Sequence, residues 1–247
     1  MHRFYIPDSD FDSKELILKD KREFHHLKNV LRLRKNDAVE VFNGRGREAS
    51  GRILALDSKH ALIEIQSVKN TPAKIPNLIL ACAIPKKGKF EFIVEKATEL
   101  GVDRIIPLTT QRADVKVNPQ GASRKSERFE LAAVSAAKQC QRAVVPVIYP
   151  VTSFQGCLKM LAEIPQISIL IASLLGSPKN CLRVFEELPT PVALAFLIGP
   201  EGDFTEEEYA EADKSGCIPV SLGAHILRVE TAAMCVAAAA NLFYRHD

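Results

Sequence analysis

Hydrophobic positions divide the chain into an N-terminal segment of short apolar runs and a longer segment in which apolar runs alternate with helical stretches. From residue 38 to residue 68 the apolar runs are short, and turn residues such as Asn43-Gly44 separate them. Short strands joined by tight turns are typical of a small β-barrel or sheet domain. The predicted strands are Ala38–Phe42, Ala49–Leu56 and Ala61–Val68.

The pattern changes after the segment 70–76, which contains two prolines and is the predicted linker. We therefore place the first domain at residues 1–72 and the second at residues 73–247. In the second domain strands alternate with helices, which predicts an α/β fold with a mostly parallel sheet. The predicted strands are Leu78–Ile84, Arg104–Leu108, Val144–Ile148, Ile167–Ala172, Val192–Ile198 and Pro219–Leu222. The predicted helices are Phe90–Leu100, Lys125–Arg142, Phe154–Ala162, Thr205–Ser215 and Thr231–Phe243, with a further short helix before Val192.

Two of these helices carry further information. Thr205 and Glu208 have the spacing of a capping box, which fixes the start of the predicted helix Thr205–Ser215. The last helix, Thr231–Phe243, is apolar on nearly every side. Such a helix is expected to be buried.

Composition indicates a folded protein with an ordinary core. The chain has 247 residues, of which 47% are hydrophobic and 26% are charged, so wholesale disorder is excluded. The longest apolar runs have the length of strands, and we expect no membrane-spanning helix. The first residues lack the apolar segment of a secretory signal, so we expect a cytoplasmic protein. The six cysteines are scattered without a Cys-x-x-Cys pair, and neither a disulfide framework nor a metal site is predicted.

Positive charge is concentrated in two stretches. Residues 21–52 hold nine basic residues against four acidic ones, and residues 112–142 hold seven against three. A predicted helix over Glu23–Leu33 is apolar on one face, and the other face carries Lys28 and Arg32. Concentrated basic stretches fit a polyanionic partner, although an ordinary solvated surface explains them equally well.

Two strand ends in the second domain are unusual. Open parallel sheets bind ligands beyond the carboxyl ends of their strands. The segment Leu197–Phe204, with the sequence Leu-Ile-Gly-Pro-Glu-Gly-Asp-Phe, runs from a strand into a capped helix. Its glycines allow close approach of a ligand to the backbone. The segment Ser221–Thr231 also joins a strand to a helix, and it contains Arg228 and Glu230.

Common motifs do not explain these segments. Their spacing fits neither Gly-x-Gly-x-x-Gly nor the P-loop pattern, so a nicotinamide site and a P-loop nucleotidase are not supported. No Gly-x-Ser-x-Gly nucleophile elbow is present in the sequence. Each segment taken alone remains compatible with an ordinary turn between a strand and a helix.

Taken together in order and spacing, the two segments resemble the ribosomal RNA small subunit methyltransferase E family, a family of SPOUT (trefoil-knotted) methyltransferases. The resemblance extends over essentially the whole chain. The matching residues are Ile198-Gly199-Pro200-Glu201-Gly202 with Phe204 and Glu208, Leu222-Gly223, Ile226-Leu227-Arg228, Glu230-Thr231-Ala232, His26-Leu27, Val30-Leu31-Arg32, Glu95–Gly101, Gln139, Arg142 and Pro146.

The resemblance implies a fold and an activity. The fold would be a trefoil-knotted α/β domain with a mostly parallel sheet, preceded by a small PUA-like β-barrel that binds RNA. The activity would be methyl transfer from S-adenosylmethionine to N3 of a uridine in 16S ribosomal RNA of the small ribosomal subunit. SPOUT proteins are commonly dimers, so we expect a homodimer, and the apolar helix Thr231–Phe243 is a candidate for its surface, or else a core helix.

The resemblance also implies site residues. Arg228 and Glu230 are the catalytic candidates, which would orient the uridine and stabilise or accept its charge. The cofactor-binding candidates are Ala172, Leu197, Ile198, Gly199, Pro200, Glu201, Gly202, Leu222, Gly223, Ile226, Leu227 and Arg228. The RNA-binding candidates are Arg22, Lys28, Arg32 and Arg34, with Arg112, Arg128 and Arg142 as a second group.

The chain departs from the family pattern at two places, and other functions stay open. Asp203 stands where the family commonly has a second glycine, and Ser173-Leu174 follows a strand where a more acidic or polar contact to adenosine is expected. The alternatives are a SPOUT methyltransferase acting on another RNA such as transfer RNA, a non-catalytic RNA-binding assembly factor, and a nucleotide-dependent metabolic enzyme. Both glycine-containing segments are retained, which argues against the assembly factor.

Overall fold

The chain folds into two compact units. The structure, a computed structural model, describes residues 1–86, 89–113 and 119–245. The first unit comprises Met1–Ala73 and Ala137–Val145, and the second comprises Lys74–Ala136 and Pro146–Asp247. In the described part of the chain, the helices are too short or too polar to span a bilayer.

The first unit is built on a five-stranded sheet. Its strands, in spatial order, are β1 (His2–Tyr5), β3 (Ala38–Phe42), β4 (Arg47–Leu56), β5 (Ala61–Asn70) and β2 (Glu15–Leu18). β1 pairs with β3 in parallel, and the other neighbours are antiparallel. The three predicted strands are confirmed. Sequence reasoning missed β1 and β2, since four residues are too few to show a clear period.

The helical segment of this unit begins and ends earlier than predicted. α1 (Lys21–His25) starts at the side chain of Asp20, which accepts hydrogen bonds from two backbone N–H groups. It continues as one π-helical turn over His26–Val30 and then stops, because Arg32 adopts a positive φ of 54°. Leu27 points into the core of the unit and is fully buried.

The second unit is an α/β domain. Every pairing in its sheet is parallel, which confirms the predicted architecture. The strands are β6 (Asn77–Ala83), β7 (Arg104–Thr109), β8 (Val147–Ile148), β9 (Thr152–Ser153), β10 (Ile167–Ala172), β11 (Lys179–Asn180), β12 (Ala193–Ile198) and β13 (Ile218–Ser221). The helices are α2 (Phe90–Glu99), α3 (Pro119–Gln139), α4 (Phe154–Ala162), α5 (Cys181–Glu187), α6 (Glu206–Lys214) and α7 (Val229–Tyr244).

Three predicted elements differ from the structure. The helix predicted at Lys125–Arg142 instead spans Pro119–Gln139. The predicted strand Val144–Ile148 is reduced to the two residues of β8, because Val144 instead forms a bridge with Gly44 within the first unit. The last helix is buried on one face only. On its other face Met234 and Cys235 are half-buried, and Leu242 is 74% exposed.

Strand order determines where a ligand site can form. The order of the main strands is β11-β13-β10-β12-β6-β7-β8, so β10 lies between β12 and β13. Because β10 pairs in parallel with both β12 and β13, the carboxyl ends of these three strands meet at one edge of the sheet. β12 is buried along its full length, which fixes the position of the segment that follows it.

Candidate active site

A cavity of about 260 Å³ lies at the carboxyl ends of β10, β12 and β13. The segments that follow these three strands form its wall, as expected for an open parallel sheet. Most of the predicted cofactor-binding residues line it. They are Ala172, Ile198, Gly199, Pro200, Glu201, Leu222, Gly223, Ile226, Leu227 and Arg228. Of the other two, Leu197 is fully buried in the core and Gly202 lies on the outer side of its loop, against Arg112.

Packing and hydrogen bonds fix the loop after β12 from both sides. A Cβ atom at Gly199 would lie 3.1 Å from two ring atoms of Phe204, so the residue must be small for the ring to pack. On the outer side, the guanidinium Nη1 of Arg112 donates to the carbonyl oxygens of Gly202, at 2.9 Å, and of Phe204, at 3.2 Å. The structure thus gives Arg112 a role in holding this loop, while its contact with RNA stays a prediction.

The helix after this loop starts as predicted. The Thr205 hydroxyl accepts a hydrogen bond from the backbone N–H of Glu208, and the Glu208 carboxylate accepts one from the backbone N–H of Thr205. This confirms the capping box. The same carboxylate also accepts a hydrogen bond from the backbone N–H of Gln111 at 2.9 Å, which connects the end of β7 to the start of α6.

Asp203 links two walls of the cavity. It lines the cavity and has a φ of 61°, a conformation that Asp and Asn tolerate better than most residues. The hydroxyl of Tyr209 donates to Asp203 Oδ1 at 2.8 Å and lies 3.4 Å from the carbonyl oxygen of Ala172, the last residue of β10. Burial, reinforced by the Asp203 carboxylate, raises the pKa of Tyr209 to about 12. The phenol therefore stays protonated and keeps donating.

The loop after β13 is open to solvent. Gly223 has a φ of 125°, a backbone conformation that favours glycine, and a Cβ atom there would meet nothing within 4 Å. Ile226 is 80% exposed and covers one side of the cavity. Arg228 is also exposed, lines the cavity and precedes the first turn of α7.

Glu230 faces a lysine beside the cavity. The ammonium Nζ of Lys89 donates to Glu230 Oε1 at 2.7 Å, and the carboxylate is 15% exposed. This hydrogen bond, the residue's own backbone N–H and the charge of Arg228 hold the pKa of the Glu230 carboxyl below its ordinary value. Sequence reasoning missed Lys89. The signal was available, because Lys89 belongs to the basic segment after β6, whose end lies at the same edge of the sheet.

The predicted RNA-binding residues of the first unit lie at its surface. Arg22, Lys28, Arg32 and Arg34 are all exposed. Lys28 also borders a concavity of about 770 Å³, which we call the lysine concavity. Its basic residues and histidines are Lys19, Lys21, Lys28, Lys59, His25 and His60. In the second group, Arg128 forms an ion pair with Glu91 at 2.6 Å, and Arg142 is partly exposed.

A metal centre is not apparent in the residues that the structure describes, since no three His, Cys, Asp or Glu side chains there are arranged to hold an ion. The site therefore consists of backbone groups, apolar walls and a few charged side chains. Ligand sites that bind small organic molecules commonly have this composition.

The fold and the cavity define the class, a SPOUT-type α/β domain joined to a PUA-like domain. Residues 71–241 match the family model for an RNA methyltransferase domain, and residues 18–66 match the model for an RNA methyltransferase PUA domain. The chain is 30% identical to the ribosomal RNA small subunit methyltransferase E of Bacillus subtilis over 85% of its length and 83% of that protein. The chain belongs to the ribosomal RNA small subunit methyltransferase E family.

Solved structures agree with this assignment. A ribosomal RNA small subunit methyltransferase E from Neisseria gonorrhoeae, bound to S-adenosyl methionine, superimposes with a TM-score of 0.85 at 30% identity, covering 99% of this chain and 98% of that one. A putative methyltransferase from Legionella pneumophila, also in complex with the cofactor, gives a TM-score of 0.85 at 28% identity over 97% and 96% of the two chains. The predicted fold class and family are confirmed.

Proposed function

We propose that this protein is an S-adenosylmethionine-dependent methyltransferase that modifies N3 of a uridine in 16S ribosomal RNA, within the small ribosomal subunit. The observation that carries the proposal is the cavity at the ends of β10, β12 and β13, in a chain that belongs to a family of ribosomal RNA methyltransferases. A ribosomal substrate also implies that the protein works in the cytoplasm.

The residues of the cavity fit this cofactor. Its walls combine apolar side chains such as Ile226 and Leu227, which suit a flat adenine ring, with carboxylates and a guanidinium. The carboxylate of Glu201 suits the positively charged parts of the molecule, and Arg228 suits its carboxylate or a phosphate of the RNA. When bound, S-adenosylmethionine supplies a methyl group on a positively charged sulfur.

The protein's own task is to present the uridine as a nucleophile. The neutral imide nitrogen is a poor nucleophile, so its proton must leave or be shared during the transfer. Arg228 lines the cavity and can stabilise the negative charge that develops on the uridine base. The low pKa of Glu230 keeps its carboxylate ionised, so it can accept the imide proton as the methyl group bonds to N3, and its hydrogen bond with Lys89 holds it in place. Arg228 and Glu230 remain the catalytic candidates, with Lys89 as a residue that positions Glu230.

The first unit would supply affinity for RNA. Exposed Arg and Lys side chains bind phosphates without reading sequence, and such binding weakens with salt. Arg32 and Arg34 are exposed side by side near the end of the helical segment, and Lys28 borders the lysine concavity. We propose this surface as the main contact for the ribosomal RNA.

A homodimer is part of the proposal. The half-buried face of α7 carries Met234, Cys235 and the exposed Leu242, which a second copy of the chain could cover. Exposed apolar patches of this kind commonly mark interaction surfaces.

The decisive experiment measures transfer of labelled methyl from S-adenosylmethionine to small ribosomal subunits that lack the modification, followed by mapping of the modified base. We expect one uridine to be methylated at N3, and we expect Arg228→Ala and Glu230→Ala to lower turnover. Wild-type turnover in both variants would refute their catalytic roles. Methyl transfer to another RNA, such as transfer RNA, and not to small ribosomal subunits would identify that RNA as the substrate. Loss of both methyl transfer and cofactor binding would favour an assembly factor.

A further inference from the structure

We infer that Asp203 is a cofactor-binding residue of this protein and that its carboxylate accepts hydrogen bonds from the ribose hydroxyls of S-adenosylmethionine. The inference rests on the proposed function and adds a named contact to it. Two observations on the cavity support it, namely the position of Asp203 and the state of its two oxygens.

Asp203 stands at the junction of two cavity walls. It lies in the loop after β12. The hydroxyl of Tyr209, which donates to Asp203, also lies within hydrogen-bond distance of the carbonyl oxygen of Ala172 at the end of β10. The backbone N–H of Asp203 donates to the carbonyl oxygen of Pro200 at 3.0 Å, which closes the loop beneath it. The carboxylate is therefore held in one place rather than free to rotate into solvent, and a fixed acceptor loses little entropy when a ligand binds.

One of the two carboxylate oxygens of Asp203 is engaged within the protein. Oδ1 accepts hydrogen bonds from the Tyr209 hydroxyl at 2.8 Å and from the backbone N–H of Phe204 at 2.8 Å. Within the described part of the chain, no hydrogen bond reaches Oδ2. A fixed carboxylate with one spare oxygen at a cavity wall is suited to hydroxyl donors, as in dinucleotide sites where a carboxylate binds the ribose.

Two other polar side chains of these walls, those of Ser173 and Glu201, also bond to the protein backbone. Ser173, beyond the end of β10, bonds to the backbone of Leu175 through its hydroxyl. Glu201 accepts a hydrogen bond from the backbone N–H of Lys86 at 3.1 Å, which turns its carboxylate toward the segment after β6. Asp203 thus provides the acidic contact that the β10 segment itself lacks.

The substitution Asp203→Asn tests the contact with little disturbance. Asn tolerates a positive φ, and its carbonyl oxygen can keep the bonds from Tyr209 and Phe204 while the amide nitrogen replaces Oδ2. Isothermal titration calorimetry would measure the binding of two ligands, S-adenosylhomocysteine and its analogue without ribose hydroxyls. Each ligand would be titrated into the full-length wild type and into the full-length variant. Asp213→Asn, on the exposed side of α6, is the matched control.

We expect the wild type and the control to prefer the hydroxylated ligand by roughly 10- to 100-fold, as hydrogen bonds to a charged group predict. In Asp203→Asn this preference should fall to near equality, with little change in affinity for the analogue. Tyr209→Phe should give an intermediate preference, because the carboxylate remains but loses its anchor.

Two results would overturn the inference. An unchanged preference in Asp203→Asn would exclude the ribose contact, and equal weakening of both ligands would show that Asp203 only shapes the loop. Failure of the proposed function is distinguishable from both, because wild-type protein would then bind neither ligand. Circular dichroism and the unfolding temperature of each variant confirm that the comparison is made between folded proteins.

Discussion

The ammonium group of Lys89 and the carboxylate of Glu230 form an ion pair of 2.7 Å beside the cavity, across 141 residues of sequence. The pair joins the segment after β6 to the first turn of α7. Since the charge of Arg228 also acts on Glu230, three charged groups with a net positive charge stand next to the proposed uridine site. A net positive charge is what a base that loses its imide proton requires.

Removal of Lys89 should change the pH dependence of methyl transfer. Lys89 lowers the pKa of Glu230, so Glu230 loses its charge only at acidic pH. In Lys89→Ala that pKa should rise toward its ordinary value, and activity should begin to fall at a higher pH than in the wild type. Turnover at saturating cofactor should fall about 10-fold or more, in line with the loss of an oriented charge. Single-turnover rates against pH measure both effects.

Lys89→Arg should recover part of the turnover, because the positive charge returns. Lys96→Ala is a suitable control, since Lys96 pairs with Glu95 and Glu99 on the surface of α2. An acid limb that lies at the same pH in wild type and Lys89→Ala would refute the assignment of Lys89 as a positioning residue.

A comparison of cofactor binding with RNA binding can decide whether Arg112 supports the cofactor loop or contacts RNA. Its guanidinium holds the carbonyl oxygens of Gly202 and Phe204, so Arg112→Ala should loosen the loop after β12. We expect affinity for S-adenosylmethionine to fall by about 3- to 10-fold even without RNA, which corresponds to the loss of one or two hydrogen bonds. Arg183→Ala serves as the control, because Arg183 pairs with Glu186 on the surface of α5. If cofactor affinity is unchanged and RNA affinity falls, Arg112 acts on RNA alone.

Charge reversal on the first unit should weaken RNA binding and its dependence on salt. Arg32 and Arg34 are exposed, so Arg32→Glu with Arg34→Glu should abolish their binding to phosphates without disturbing the core. The slope of log affinity against log salt should decrease by roughly one for each phosphate that the variant no longer binds. Filter binding to small ribosomal subunits at several salt concentrations measures the slope. Arg183→Glu, on an exposed position of α5, should leave it unchanged, and an unchanged slope in the double variant would exclude this surface.

The exposed end of α7 offers a test of self-association. Leu242 is 74% exposed on the apolar face that a second copy would cover. Leu242→Asp should place a charge in that interface and shift the protein toward monomer, as sedimentation velocity at several concentrations would show. Ile17→Asp, in the first unit, should not change the sedimentation profile. A wild type that is monomeric at every concentration would remove the homodimer from the proposal.

The pattern of apolar and polar residues predicts the α/β architecture, the ends of the main strands and the two segments that form most of the cavity wall. The apolar runs of β10 and β12 are buried on both faces, which gives them a continuous hydrophobic pattern that a reader can recognise. The glycine-containing segment after β12 follows such a run, so its place at the edge of the sheet could be predicted. The start of α6 was equally predictable, because the capping box of Thr205 and Glu208 is a local interaction.

Contacts between side chains that are distant in sequence follow from the order of the strands in the sheet. Lys89 and Glu230, or Tyr209 and the end of β10, come together because the strand order brings distant segments to one edge, and no local pattern encodes that order. The two oxygens of Asp203 differ only because neighbouring donors occupy one of them. A sequence records the residue types available for binding, whereas the packing of the sheet determines which of their atoms remain free for a ligand.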